Sequence, residues 1–156
     1  MPKIVIHTEI NAVPQVVFDF ARSVDMHQLS TAKTNETVIA GRTKGLMENG
    51  ETVTWRAKHF GVFQTLTSKI TQMEPPDYFV DQMVVGVFDS FKHEHIFEPI
   101  GKGVRMTDIF QYTAPLGILG NLANCLFLKR YMTNFLIQRN QVIKLVSEDK
   151  TGKTFS

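Results

Sequence analysis

PLGILGNLANCLFLKRYMTNFLIQRNQVIKLV, residues Pro115 to Val146, decides how the rest of the chain is arranged. Leu119, Leu122, Leu126, Leu128, Tyr131, Met132, Phe135, Leu136, Val142, Ile143 and Val146 recur at three- and four-residue spacing, drawing an apolar stripe along one helix. Pro115 stands where a helix begins, and no proline interrupts the residues after it. At about 1.5 Å per residue, roughly thirty residues make a rod about 45 Å long, enough to cross a whole domain. Such a rod needs a curved surface to lie in, and nearly everything before it reads as short strands.

The 156 residues suit a single domain with a sizeable core, expected over 1–147, followed by a polar tail over 148–156 that frays. Seventeen basic and fifteen acidic residues leave a charge of +2 with no basic run, so nucleic acid is not an expected partner. The one cysteine, Cys125, cannot form an internal disulfide, which favours a reducing, cytoplasmic location. MPKIVIHTEI lacks the features of a signal peptide and reads as a strand. Leu116 to Leu128 is the densest apolar run, but Gly117, Gly120, Asn121 and Asn124 interrupt it, so stable membrane insertion is not expected. Twelve Phe and seven Met are soft, bulky side chains that fill a core or line a cavity that adapts to its contents.

Lys3 to Ile10 alternates, with Ile4, Ile6, Thr8 and Ile10 on one face and His7 outward. Pro14 starts a helix carrying Val17, Phe18 and Ala21 on one side, and Ser23 caps a second running to Leu29. Further strands are expected over 36–40, 51–59, 61–73, 78–83, 87–97 and 104–112, separated by turn signals such as Asn49-Gly50 and ended at one point by Pro75-Pro76. About seven strands joined by short turns pair antiparallel and curl, and the long helix covers one face. The fold class is therefore α+β in two layers, with a space between sheet and helix.

The chemistry lies in polar groups that alternation places on the inward face among large apolar ones. Trp55, His59, Gln64, Asp81, His93, His95 and Asp108 share that side with Leu66, Phe91, Met106, Phe110 and Tyr112. If the turn near Gly101 closes a hairpin, His93 lies about opposite Asp108, and a buried ionisable group needs such a partner. One reading is a satisfied polar core. A second is a lining that orients a mostly apolar ligand by its polar end, the usual construction of a small-molecule site. A third makes His93 and Asp108 the acid/base of a cyclase or dehydratase. His93 and His95 also form the H-x-H pair that zinc sites use, with His59 or Asp108 as a third ligand, but the pair alone does not support expecting a metal or cofactor.

Three segments, ETVTWRAKHFGVFQTLTSKI, PPDYFVDQMVVGVFDSFKHEHIFEP and MTDIFQYTAPLGILG, with the order of elements around them, resemble the START-like, or SRPBCC, superfamily. That superfamily includes lipid-transfer and polyketide cyclase/dehydrase proteins. The resemblance covers almost the whole chain and is most specific to bacterial ligand-binding SRPBCC domain proteins, some labelled cell division inhibitors. It implies a helix-grip fold with a cavity under the long helix and a small hydrophobic, lipid- or polyketide-like ligand as partner. It implies the lining positions Trp55, His59, His93, His95 and Asp108 and no catalytic roles. A regulatory module acting through its outer surface is a further alternative, with no protein partner indicated.

Overall fold

The computed structural model describes residues 2–114 and 122–149, except the side chains of 122–124. Strand β1 (Lys3–Ile10) is followed by helices α1 (Pro14–Ala21) and α2 (Val24–Ser30). Six strands come next: β2 (Thr37–Gly41), β3 (Thr52–His59), β4 (Val62–Glu74), β5 (Tyr78–Val85), β6 (Ser90–Ile100) and β7 (Gly103–Thr113). Helix α3 (Leu122–Glu148) closes the described chain. The expected helix start at Pro115 and the stripe residue Leu119 lie outside the described residues, as does nearly all of the expected tail.

The strands form one antiparallel sheet in the order β1-β7-β6-β5-β4-β3-β2. From β3 to β7 chain neighbours pair through short turns, as expected of alternating runs separated by turn residues, and β2 pairs with β3 across a longer loop. The exception is β1, which pairs with β7 from Lys3↔Gln111 to Ile10↔Val104 and leaves β1 and β2 as opposite edges. The α1–α2 bracket spans that opening. Its junction is tied to the loop after β2 by Val24 N–H to Gly45 O and Met47 N–H to Arg22 O. Ser23 caps α2 by accepting from Met26 N–H. The 13-residue β4 carries irregularities at Thr67/Ser68 and Ile70/Gln72, and such bulges sharpen the twist that curls a sheet.

Two apolar clusters fill the space between sheet and helices. One gathers Phe18, Phe79 and Phe97, with Phe18 edge-on to both other rings at 5.5 and 5.3 Å, together with Met106 and Ile143. The other gathers Ile4, Phe91, Phe110, Tyr112 and Leu136. Between Leu136 and Ile143 the inward face of α3 carries buried Arg139 and Asn140 in place of apolar residues. Leu126, assigned to the apolar stripe by spacing, is instead 62% exposed, beside Phe127 on the outer side of the helix.

Candidate functional site

A cavity of about 320 Å³ lies between the curled sheet and α3. Most of its wall is apolar: Val24, Met47, Val53, Ala57, Leu66, Ile70, Phe88, Phe91, Phe110, Met132 and Phe135 all face it. Trp55 lies on the wall from β3, tilted against the His27 ring at 4.3 Å. His27 in turn hydrogen-bonds Glu36. Burial pushes the Glu36 carboxyl up, but the charge and hydrogen bond of His27 outweigh it and hold the value below the ordinary one. His59 and the Tyr131 hydroxyl share a 2.6 Å hydrogen bond, and burial pushes the imidazole down despite the nearby Glu36 charge.

The densest polar group sits where the two apolar clusters meet. His93 Nε2–H donates to Asp108 Oδ1 at 2.8 Å, and His95 Nε2–H donates to Asp81 Oδ2 at 2.7 Å. Asp108 is fully buried, accepts from Asn140 Nδ2 at 2.7 Å and lies 3.6 Å from Arg139 Nη1. Arg139 also donates to Asn140 Oδ1 and to the Ala21 carbonyl, which fixes the guanidinium at the cavity wall. Burial raises the carboxyl of Asp108, yet the hydrogen bond from His93 and the charges of His93 and Arg139 hold it well below the usual carboxylate range. Burial and the neighbouring His95 push His93 down. His95 is raised, because its hydrogen bond to Asp81 and the charges of Asp81 and Asp108 overcome its own burial.

Of the residues that alternation placed inward, Trp55, His59, Gln64, Leu66, Asp81, Phe91, His93, His95 and Phe110 line the cavity. Met106, Asp108 and Tyr112 do not. Met106 is sealed in the first apolar cluster, Tyr112 packs in the second, and Asp108 stands behind the histidines as their support. Alternation gives the face of a strand but not the depth of a side chain, and these three sit in the layer beneath the wall. Turn length puts His93 opposite Asp108, but the register places His95 there and Phe110 opposite His93. The turn consists of Gly101 and Lys102 alone, since Pro99 and Ile100 remain in the strand, which moves every pair by two residues. A shift of two keeps each side chain on its face, so the His93–Asp108 bond forms on the diagonal.

Sequence reasoning missed Arg139, His27 and Glu36 as wall residues and Asn140 behind it. For Arg139 and Asn140 a signal existed. They stand three and four residues after Leu136, where the apolar stripe of the helix lapses. His27 and Glu36 come from the bracket and its exit, where no periodicity points inward.

No family model matches this sequence, and no curated protein matches it. Solved structures of the same shape do. TTHA0849 from Thermus thermophilus superposes with a TM-score of 0.72 at 18% identity over 94% of this chain and 99% of that one. The ginseng (Panax ginseng) major latex-like protein 151 gives 0.67 at 15% over 95% and 98%. StfQ, a di-domain ARO/CYC protein of the steffimycin biosynthetic pathway, gives 0.76 at 14%, with 96% of this chain covering 51% of StfQ. The chain has the helix-grip fold of these structures. In helix-grip terms, α3 is the gripped helix, the curled sheet is the hand, and the cavity is the space the grip leaves. No described helix is long and apolar enough to cross a membrane.

Proposed function

We propose that the protein binds a small, largely apolar molecule in the cavity under α3, with its polar end toward Asp81, His93, His95 and Arg139. The observation that carries this reading is a volume of about 320 Å³ whose wall is mostly aliphatic and aromatic and whose densest polar group lies at that end. Small-molecule sites are built in this way, from roughly 300 to 1,000 Å³ of apolar surface with a few placed polar groups. The sequence holds one tryptophan, Trp55, and it stands on the wall, so the site carries its own fluorophore. Titration with a hydrophobic dye quenches Trp55 emission in a saturable way, and native mass spectrometry of gently purified protein shows a bound mass. Ala57→Phe, which puts a ring into the space, abolishes dye uptake, whereas His7→Ala on the outer face leaves it intact. Absence of both quenching and uptake in the wild type sinks the proposal.

A second reading, acid–base chemistry of the cyclase or dehydratase kind, is favoured by one feature of the polar end. Asp108 fixes the His93 proton on Nε2, which leaves the Nδ1 lone pair without a hydrogen bond, 4.0 Å from Asp81 Oδ2. A His93→Ala variant then takes up dye normally but no longer dehydrates a β-hydroxyketone that the wild type turns over. Equal turnover by the variant rejects the dyad.

A further inference from the structure

The polar end of the cavity holds more ligating chemistry than an apolar guest requires. Asp108 Oδ1 backs both imidazoles, 2.8 Å from His93 Nε2 and 3.3 Å from His95 Nδ1. The other nitrogen of each ring, His93 Nδ1 and His95 Nε2, faces a single oxygen, Asp81 Oδ2, at 4.0 and 2.7 Å. One donor atom from each of Asp81, His93 and His95 lies within 4.8 Å of the other two. Two histidines oriented from behind by a carboxylate, converging with a second carboxylate, form a recurring donor set for divalent transition metals. The residue that completes it is Asp81 on β5, neither of the third ligands that sequence spacing suggests.

We propose that Asp81, His93 and His95 bind one divalent transition-metal ion, of the zinc or iron(II) type, at the polar end of the cavity. A coordination position stays open toward the bound molecule. Metal sites with three protein ligands keep such a position for water or an exogenous oxygen. The ion takes the place of the hydrogen that His95 Nε2 gives to Asp81. The neutral ring keeps that proton by moving it to Nδ1, an atom that is buried without a hydrogen bond and already faces Asp108. His93 needs no change, because its Nε2–H is held by Asp108 and its Nδ1 is free. Ligation ends any role of His93 Nδ1 as a base.

Charge specifies the guest. With neutral imidazoles, Asp81 and Asp108 against Arg139 leave one negative charge, and a dication turns this into one positive charge. The open position therefore suits an oxygen anion, a carboxylate, phenolate or enolate, on an otherwise apolar molecule. This part rests on the cavity reading above.

The test uses the whole chain stripped of metal by chelator, with cobalt(II) as the probe. The wild type takes up one equivalent and develops the visible bands of a bound ion, and 1-naphthoate shifts those bands. Asp81→Asn, which keeps the shape of the side chain, and His95→Ala each weaken binding at least tenfold. Asp108→Asn weakens it about 10–100-fold, as removal of a supporting carboxylate does. His7→Ala leaves binding unchanged. No saturable uptake by the wild type, or uptake unaltered in Asp81→Asn, overturns the metal site. Naphthoate leaving the bands unmoved overturns the open position. Dye uptake without cobalt binding rejects the metal and keeps the cavity, whereas cobalt binding without dye uptake rejects the apolar guest.

Discussion

Asp108 illustrates how one side chain ties sheet, helix and cavity together. It accepts from His93 on the neighbouring strand and from Asn140 on α3, with Arg139 close by. Removing it leaves a buried guanidinium without its carboxylate partner, so Asp108→Ala costs about 3–5 kcal/mol in urea unfolding, the range for breaking a buried ion pair from one side. Glu36 sets a pH dependence of definite sign. Its folded-state value lies below the ordinary 4.5, so its contribution is complete above that value and is lost as pH falls through the folded one. The stability gap between wild type and Glu36→Gln, measured by urea melts, is therefore open at about pH 7 and narrows as pH falls below the ordinary 4.5. At this scale the sequence was partly legible. Alternation along β6 and β7 put both histidines and Asp108 on one face, because the pleat has a period of two. It was silent on depth, and the partners of Asp108 on α3 were visible only as a lapse in a helical stripe.

Elements reveal what neighbour-to-neighbour reasoning leaves out. The seven strands and three helices follow from alternation, caps and turn residues, but the pairing of β1 with β7 joins residues about a hundred positions apart and has no local signal. Gly103 marks that junction. A Cβ there would stand 2.5 Å from the Ile10 carbonyl oxygen, a backbone atom that cannot step aside. Gly103→Ala accordingly destabilises by about 1–3 kcal/mol, the cost of overpacking. Gly50 is the control, with open space around it but φ at +85°. Gly50→Ala costs only the left-handed backbone penalty, about 1–2 kcal/mol. Urea midpoints measure the two costs, and equal hydrogen-exchange protection of β1 in wild type and Gly103→Ala would refute the junction argument.

For the molecule as a whole, a ligand that occupies the cavity of the folded state alone must raise the melting temperature. At a concentration a hundred times Kd it adds about 2.7 kcal/mol. For a chain of this size that is a rise of about 5–10 °C in a thermal melt. Ala57→Phe shows no rise. The two-layer architecture was readable from sequence because a long amphipathic helix and a set of alternating strands have few ways to bury their apolar faces together. The polar end of the cavity was only half readable, since it is assembled from β5, β6 and α3, which share no sequence neighbourhood.

The hairpin joining β3 to β4 carries Phe60 at φ +54°, a backbone state that bulky residues rarely hold. That ring is both part of the cavity wall and 59% exposed, and it rests on Tyr131 at 4.7 Å and Phe127 at 5.6 Å. The hairpin tip and the helix thus meet through aromatic faces at a point where the wall reaches the surface as a large ring. Traffic through that point must part the rings. Phe60→Gly relaxes the backbone and removes the obstacle together, so stopped-flow traces should show faster loading and faster escape of dye by similar factors, with the equilibrium between them scarcely moved.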